Sequence, residues 1–163
     1  PTRRSSDLIR DHLKEVDPAG SATYDRNTRQ YEARLKKLDE YVRGQIRAIP
    51  KAQRHLVTTH DAYGYLGKAY GINVAGFVSP NPAVEPSSRD LVALTRTLQN
   101  LHVKAVFLEP NLSARSKDLT ETAKRLHIAI CPIHGDTFTE EINTYEKMMA
   151  ANADSLRRCL EKK

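Results

Sequence analysis

Histidine and carboxylate side chains fall close together at two points in this 163-residue chain, His60-Asp61 and His134-Gly135-Asp136. Imidazole nitrogen and carboxylate oxygen are ligands suited to zinc and related divalent cations. Each pair follows a short apolar run, His55–Thr59 in the first case and Ile128–Ile133 in the second. A third run, Val103–Leu108, ends in Glu109-Pro110-Asn111, and a fourth, Asn73–Val78, ends in Ser79-Pro80-Asn81. If the runs are parallel strands, these endings share one edge of a sheet, where open α/β sheets bind their ligands. Glu109 is then a candidate for orienting a histidine from behind. Taken by type alone, each residue keeps a second role. Asp61 and Asp136 also stand where helix N-caps do, His60 and His134 also fit as surface imidazoles, and Glu109 also fits as a solvent-facing side chain. His55, His102 and His127 read as surface residues, and Tyr63, Tyr65 and Tyr70 as helix packing.

The elements that must hold these residues follow from periodicity and punctuation. Ile9–Val16 reads as the end of a helix stopped at Asp17-Pro18. A longer helix, Ala22–Ala48, carries Tyr24, Tyr31, Leu35, Leu38, Val42 and Ile46 on one stripe and ends before Pro50. From His55 onward, strands alternate with helices: Ala62–Tyr70 closed by Gly71, one opened by Ser87, and Arg115–Leu126. Thr137 and Glu140 form a capping-box pattern for a last helix through Leu160. Alternating strands and helices predict an α/β fold with a four-stranded, mainly parallel sheet covered by helices on both faces.

Lys and Arg total 26 against 20 Asp and Glu, a net charge of +6. The basic residues are dispersed among acids and never exceed two in a row, so a solvated basic surface is expected and no nucleic-acid partner. No apolar stretch is long enough to span a membrane, and Pro1–Asp7 has no apolar run of the secretory type. Phosphate-binding glycine motifs, C-x-x-C pairs and a nucleophile elbow are all lacking from the sequence. Pro1–Leu8 resembles the translation of a sequencing adapter, and the chain does not open on Met. Both features predict a piece of a longer protein with foreign residues at 1–8.

The segment His55-Leu-Val-Thr-Thr-His-Asp-Ala-Tyr-Gly-Tyr-Leu-Gly-Lys-Ala-Tyr-Gly-Ile72 closely resembles the zinc and manganese solute-binding proteins of ABC uptake transporters. Val106–Pro110, His134–Phe138, the Tyr145–Leu160 region and the Asp17-Pro18 turn with Tyr24 and Asn27 are similar to that family in the same order. The resemblance implies two α/β lobes joined by a long helix, with metal held in the cleft between them. On this sequence that means a linker at 9–50 and a C-terminal lobe at 51–163. It implies His60 and Asp136 as metal ligands, with Glu109 and His134 as auxiliary residues. The imidazole at position 60 leans toward Zn2+ over Mn2+. The implied partners are a transporter permease and the absent N-terminal lobe, which would supply the remaining ligands, leaving an incomplete site here. The implied location is periplasmic or on the extracellular face of the membrane, and the implied protein is not an enzyme. Cys131 and Cys159, the only cysteines, are then a candidate disulfide, since such compartments permit one. The competing readings are a metal-dependent hydrolase using His60, Asp61, His134 and Asp136, and a surface adhesin.

Overall fold

A computed structural model describes residues 2–79 and 85–161, with the side chains of 2–4 and 113–115 left aside. Pro80 and Asn81 of the expected second strand ending lie outside the described residues, as does Pro1. Two compact units divide at 41/42.

In the first unit, helix α1 runs Thr2–Val16, so it begins well before Ile9. A tight 3-10 turn, Pro18–Gly20, follows. Asp17 holds that turn: one carboxylate oxygen accepts from the Gly20 N–H at 3.3 Å, the other from the Tyr24 hydroxyl at 2.7 Å. Helix α2, Ser21–Ala48, starts there and passes the division into the second unit.

The second unit takes in the last turns of α2 because Val42, Ile46 and the following Ile49 are buried. Strand β1 is His55–His60, α3 Gly64–Tyr70, β2 Asn73–Ser79 and α4 Ser88–Asn100. Strand β3 is Ala105–Leu108, α5 Lys117–Arg125, β4 Ala129–Pro132 and α6 Tyr145–Leu160. The strand order is β2-β1-β3-β4 and every pairing is parallel. The α/β expectation therefore holds.

Local chemistry explains the element ends. Gly71 closes α3 in the left-handed conformation, φ 71°, which only glycine enters without steric cost. Ser87 caps α4 in a full capping box with Asp90. Residues of alternate parity then face opposite sides of the sheet. Val57 and Val106 pack with Leu94 and Leu98 of α4 and Leu119 and Ala123 of α5. Phe107 points the other way and is in register with Cys131, which is bonded to Cys159 of α6. Helices thus cover both faces.

The last helix corrects the sequence reading. It begins at Tyr145, capped by Thr144, whose Oγ1 accepts from the Lys147 N–H at 3.2 Å. Thr137 is engaged elsewhere, accepting from Asn111 Nδ2 at 2.8 Å, and residues 137–143 stay irregular. Thr144 lacks a Glu or Gln three residues on, so the box pattern pointed to the wrong threonine. Neither Thr137 nor Asp136 caps a helix.

Candidate functional site

The strand order fixes where a ligand crevice can form. From β1 the chain first pairs to one side with β2, then returns to the other side with β3. The carboxyl ends of β1 and β3 therefore flank the switch point, where helices diverge and leave a gap. His60 ends β1 and Glu109 follows β3. Their side chains meet across that gap, with His60 Nδ1 2.8 Å from Glu109 Oε1.

His60 is held by its backbone. Its carbonyl accepts from the Thr58 hydroxyl at 2.9 Å and from the Ala62 N–H at 3.1 Å. Beside it, Thr59 Oγ1 lies 3.2 Å from Ser116 Oγ, tying the strand to the start of α5. Glu109 is only 1 % exposed, an unusual place for a carboxylate without a functional partner. The hydroxyl of buried Tyr63 shares its pocket. Burial pushes the Glu109 carboxyl upward; the His60 imidazole and the Tyr63 hydroxyl pull it down, and Asp136 adds to the rise. Burial likewise pushes the Tyr63 phenol well up, with Glu109 and then Asp136 contributing. His60 Nδ1, Tyr63 Oη and Glu109 Oε1 are all buried, and none has a regular hydrogen-bond partner among the described residues. The 2.8 Å between His60 Nδ1 and Glu109 Oε1 places the two groups in direct contact.

Asp136, after β4, is exposed, and its charge acts on Glu109 and Tyr63. Thr137 Oγ1 donates to Asp136 Oδ1 at 3.2 Å and accepts from Asn111 Nδ2 at 2.8 Å. The ending of β3 therefore supports both halves of the pair, Glu109 against His60 and Asn111 through Thr137 against Asp136. His134 is fixed through its backbone: its N–H donates to Asn152 Oδ1 and its C=O accepts from Asn152 Nδ2, both at 2.8 Å. Asp61 is exposed and caps nothing, since α3 starts after Tyr63 without a side-chain cap.

Three contacts from one face of α6 fasten β4 and its extension. Asn152 clamps His134, Ser155 Oγ donates to the Pro132 carbonyl at 2.6 Å, and Cys159 is bonded to Cys131. Asn152 enters the sequence reading only as part of the family-like Tyr145–Leu160 region, and Ser155 has no role in it. Their signal was there as polar residues at the buried phase of the last helix, in step with Cys159. Tyr63, read from sequence as helix packing, instead lines the carboxylate's pocket. Among the described residues no group of three or more His, Cys, Asp or Glu side chains is arranged to hold a metal.

Comparison with known proteins agrees with this framework. The family model described as ZnuA, zinc-uptake complex component A periplasmic, matches residues 2–159. The zinc-binding protein TroA of Treponema pallidum is 27% identical over 155 residues, covering 91% of this chain and 50% of TroA. Its crystal structure superposes with a TM-score of 0.80 at 26% identity, covering 96% of this chain and 59% of the TroA chain. The manganese-binding lipoprotein MntA of Halalkalibacterium halodurans is 29% identical over 156 residues, covering 91% of this chain and 50% of MntA. The iron ABC transporter substrate-binding lipoprotein MtsA of Streptococcus pyogenes serotype M1 is 27% identical over 161 residues, covering 94% of this chain and 50% of MtsA. The chain spans about half the length of these curated relatives. With the match running through the helical segment and the four-stranded unit alike, this chain belongs to the ZnuA family, the periplasmic A component of zinc-uptake complexes.

Proposed function

We propose that this chain is the C-terminal half of an extracytoplasmic receptor that captures zinc and hands it to the permease of an ABC uptake transporter. His60 and Asp136 are its two metal ligands, and an N-terminal lobe supplies the others. The observation that carries the reading is the buried Glu109 carboxylate against His60 Nδ1 at 2.8 Å. A carboxylate behind an imidazole is the arrangement that orients metal-ligating histidines and leaves the other nitrogen free. The names of the relatives span zinc, manganese and iron. Zinc is favoured here because position 60 offers imidazole, a borderline ligand, rather than a second hard carboxylate. Manganese is the second choice. The protein acts by binding, with the metal as cargo, and its place is outside the cytoplasmic membrane.

Two ligands cannot complete a tetrahedral zinc site, so the 163-residue chain alone should bind zinc weakly. A zinc titration followed by NMR tests this. Resonances of His60 and Asp136 should shift together in fast exchange, and His60→Ala should abolish the response. Affinity should fall on acidification, because the ligand nitrogen must be unprotonated. Tight stoichiometric binding that survives His60→Ala would sink the proposal.

A further inference from the structure

Gly135 sits immediately before Asp136, and its α-carbon lies against the buried pocket of Glu109. A Cβ added there would fall 2.6 Å from Glu109 Oε2 and 3.3 Å from Tyr63 Oη. The backbone is not what demands glycine. Among the described residues the only glycine with positive φ is Gly71, so Gly135 has a conformation any residue can adopt. The constraint is the close approach alone.

Either the loop or the carboxylate would have to yield to a side chain at 135, and the structure says which. The loop is pinned one residue earlier, where Asn152 binds both the N–H and the C=O of His134. Asn152 itself is buried in α6, next to Ser155, which holds Pro132. Glu109, by contrast, presents the far end of a flexible side chain. Its backbone is set by the Leu112 N–H bonded to its carbonyl at 2.9 Å, but among the described residues its carboxylate has only His60 and Tyr63 beside it. The carboxylate is the part that gives way.

We propose that Gly135 is a positioning residue for His60 and acts through Glu109. By carrying no Cβ it lets the β4 loop close on the carboxylate, which stays on Nδ1 and keeps the neutral ring in its Nδ1–H form, with the free lone pair on Nε2. Tyr63 forms the other wall of the same pocket. The inference deepens the proposed metal site and rests on that reading for its use, but not for its test.

The test reads the His60 tautomer directly, by long-range proton–nitrogen NMR on the metal-free 163-residue chain at a pH where imidazole is neutral. The unmodified chain should carry the proton on Nδ1; a proton on Nε2 overturns the proposal without any variant. Gly135→Ala should lose the single Nδ1–H form, whereas Gly44→Ala, with nothing within 4 Å of its added Cβ, should keep it. An unchanged tautomer in folded Gly135→Ala also overturns it. Glu109→Ala should lose the Nδ1–H form by itself and make room for the extra Cβ. In that background Gly135→Ala should fold even if the single variant does not, and should change His60 no further. A further change there would mean that Gly135 does not act through Glu109. Zinc added last separates the two ideas. In the Gly135→Ala chain affinity should drop about tenfold, the size expected when a partner behind a ligand is lost. A tautomer that behaves as stated in a chain that ignores zinc refutes the metal-receptor reading and upholds the positioning of His60.

Discussion

Reducing the Cys131–Cys159 bond should destabilise the sheet-bearing unit by an amount that can be worked out beforehand. The bridge closes a loop with a sequence separation of 28. In the chain-entropy relation that length restricts the unfolded chain by about 12 cal/mol/K, or roughly 3.6 kcal/mol at 25 °C. Little should be added by lost packing. Cys131 is 7% exposed and Cys159 5%, and two thiols occupy nearly the volume of the bridge they replace. The unit runs from Val42 to Lys163, and at about 2.1 cal/mol/K per residue its unfolding entropy makes this roughly a 14 °C drop in midpoint. The assay is thermal unfolding by circular dichroism with and without a phosphine reductant, with thiols counted in denaturant before and after. The reasoning fails if two thiols titrate before reductant is added. It fails equally if complete reduction moves the midpoint by less than about 3 °C, because the loop-closure relation would then not describe this bridge.

Two further expectations concern the ends of α4 and α5. His102 and His127 hold positive φ values of 48° and 55° just after those helices. Replacing each by Gly should raise stability by roughly 0.5 kcal/mol, the left-handed penalty less the extra freedom of glycine in the unfolded chain; a lower urea midpoint for both would refute the strain. At the start of α4, the Ser87 hydroxyl and N–H hold the Asp90 carboxyl below its ordinary 3.8. A depressed native value means stabilisation that is complete above the ordinary carboxylate range and disappears as pH falls through the native value. The gap in urea midpoint between the unmodified chain and Asp90→Asn should therefore be constant near neutrality and close in acid, and a gap that persists at the lowest pH would count against it.

The sheet was legible because buried parallel strands are continuous apolar runs, and because Gly71 and Ser87 are punctuation with a physical cause. Strand ends were legible for the same reason, which is why His60, Glu109, His134 and Asp136 stood out together. Strand order was not, since nothing in the runs tells β1 which neighbour to take. That order is what brings Glu109, rather than Ser79 alone, beside His60. The start of α6 is hidden because Thr137 carries a Glu three residues on and the true cap, Thr144, carries Lys147 there instead. One helical stripe runs unbroken through α2, so nothing in it marks the division at 41/42. Gly135 could not be singled out, because its requirement comes from an oxygen of Glu109, the residue after β3 and distant in sequence.

The two proposed ligands differ in how they are held, and the difference bears on capture and release. His60 is wedged: backbone bonds from Thr58 and Ala62 fix its main chain, and a buried carboxylate sits on one ring nitrogen. Asp136 is exposed and supported at one remove, through Thr137 and Asn111. A ligand already fixed loses little freedom when metal arrives, so its contribution to affinity is large for its size. A ligand held by one neutral hydrogen bond can turn toward the ion or away from it at small cost. In the proposed receptor His60 is then the more preorganised of the two ligands.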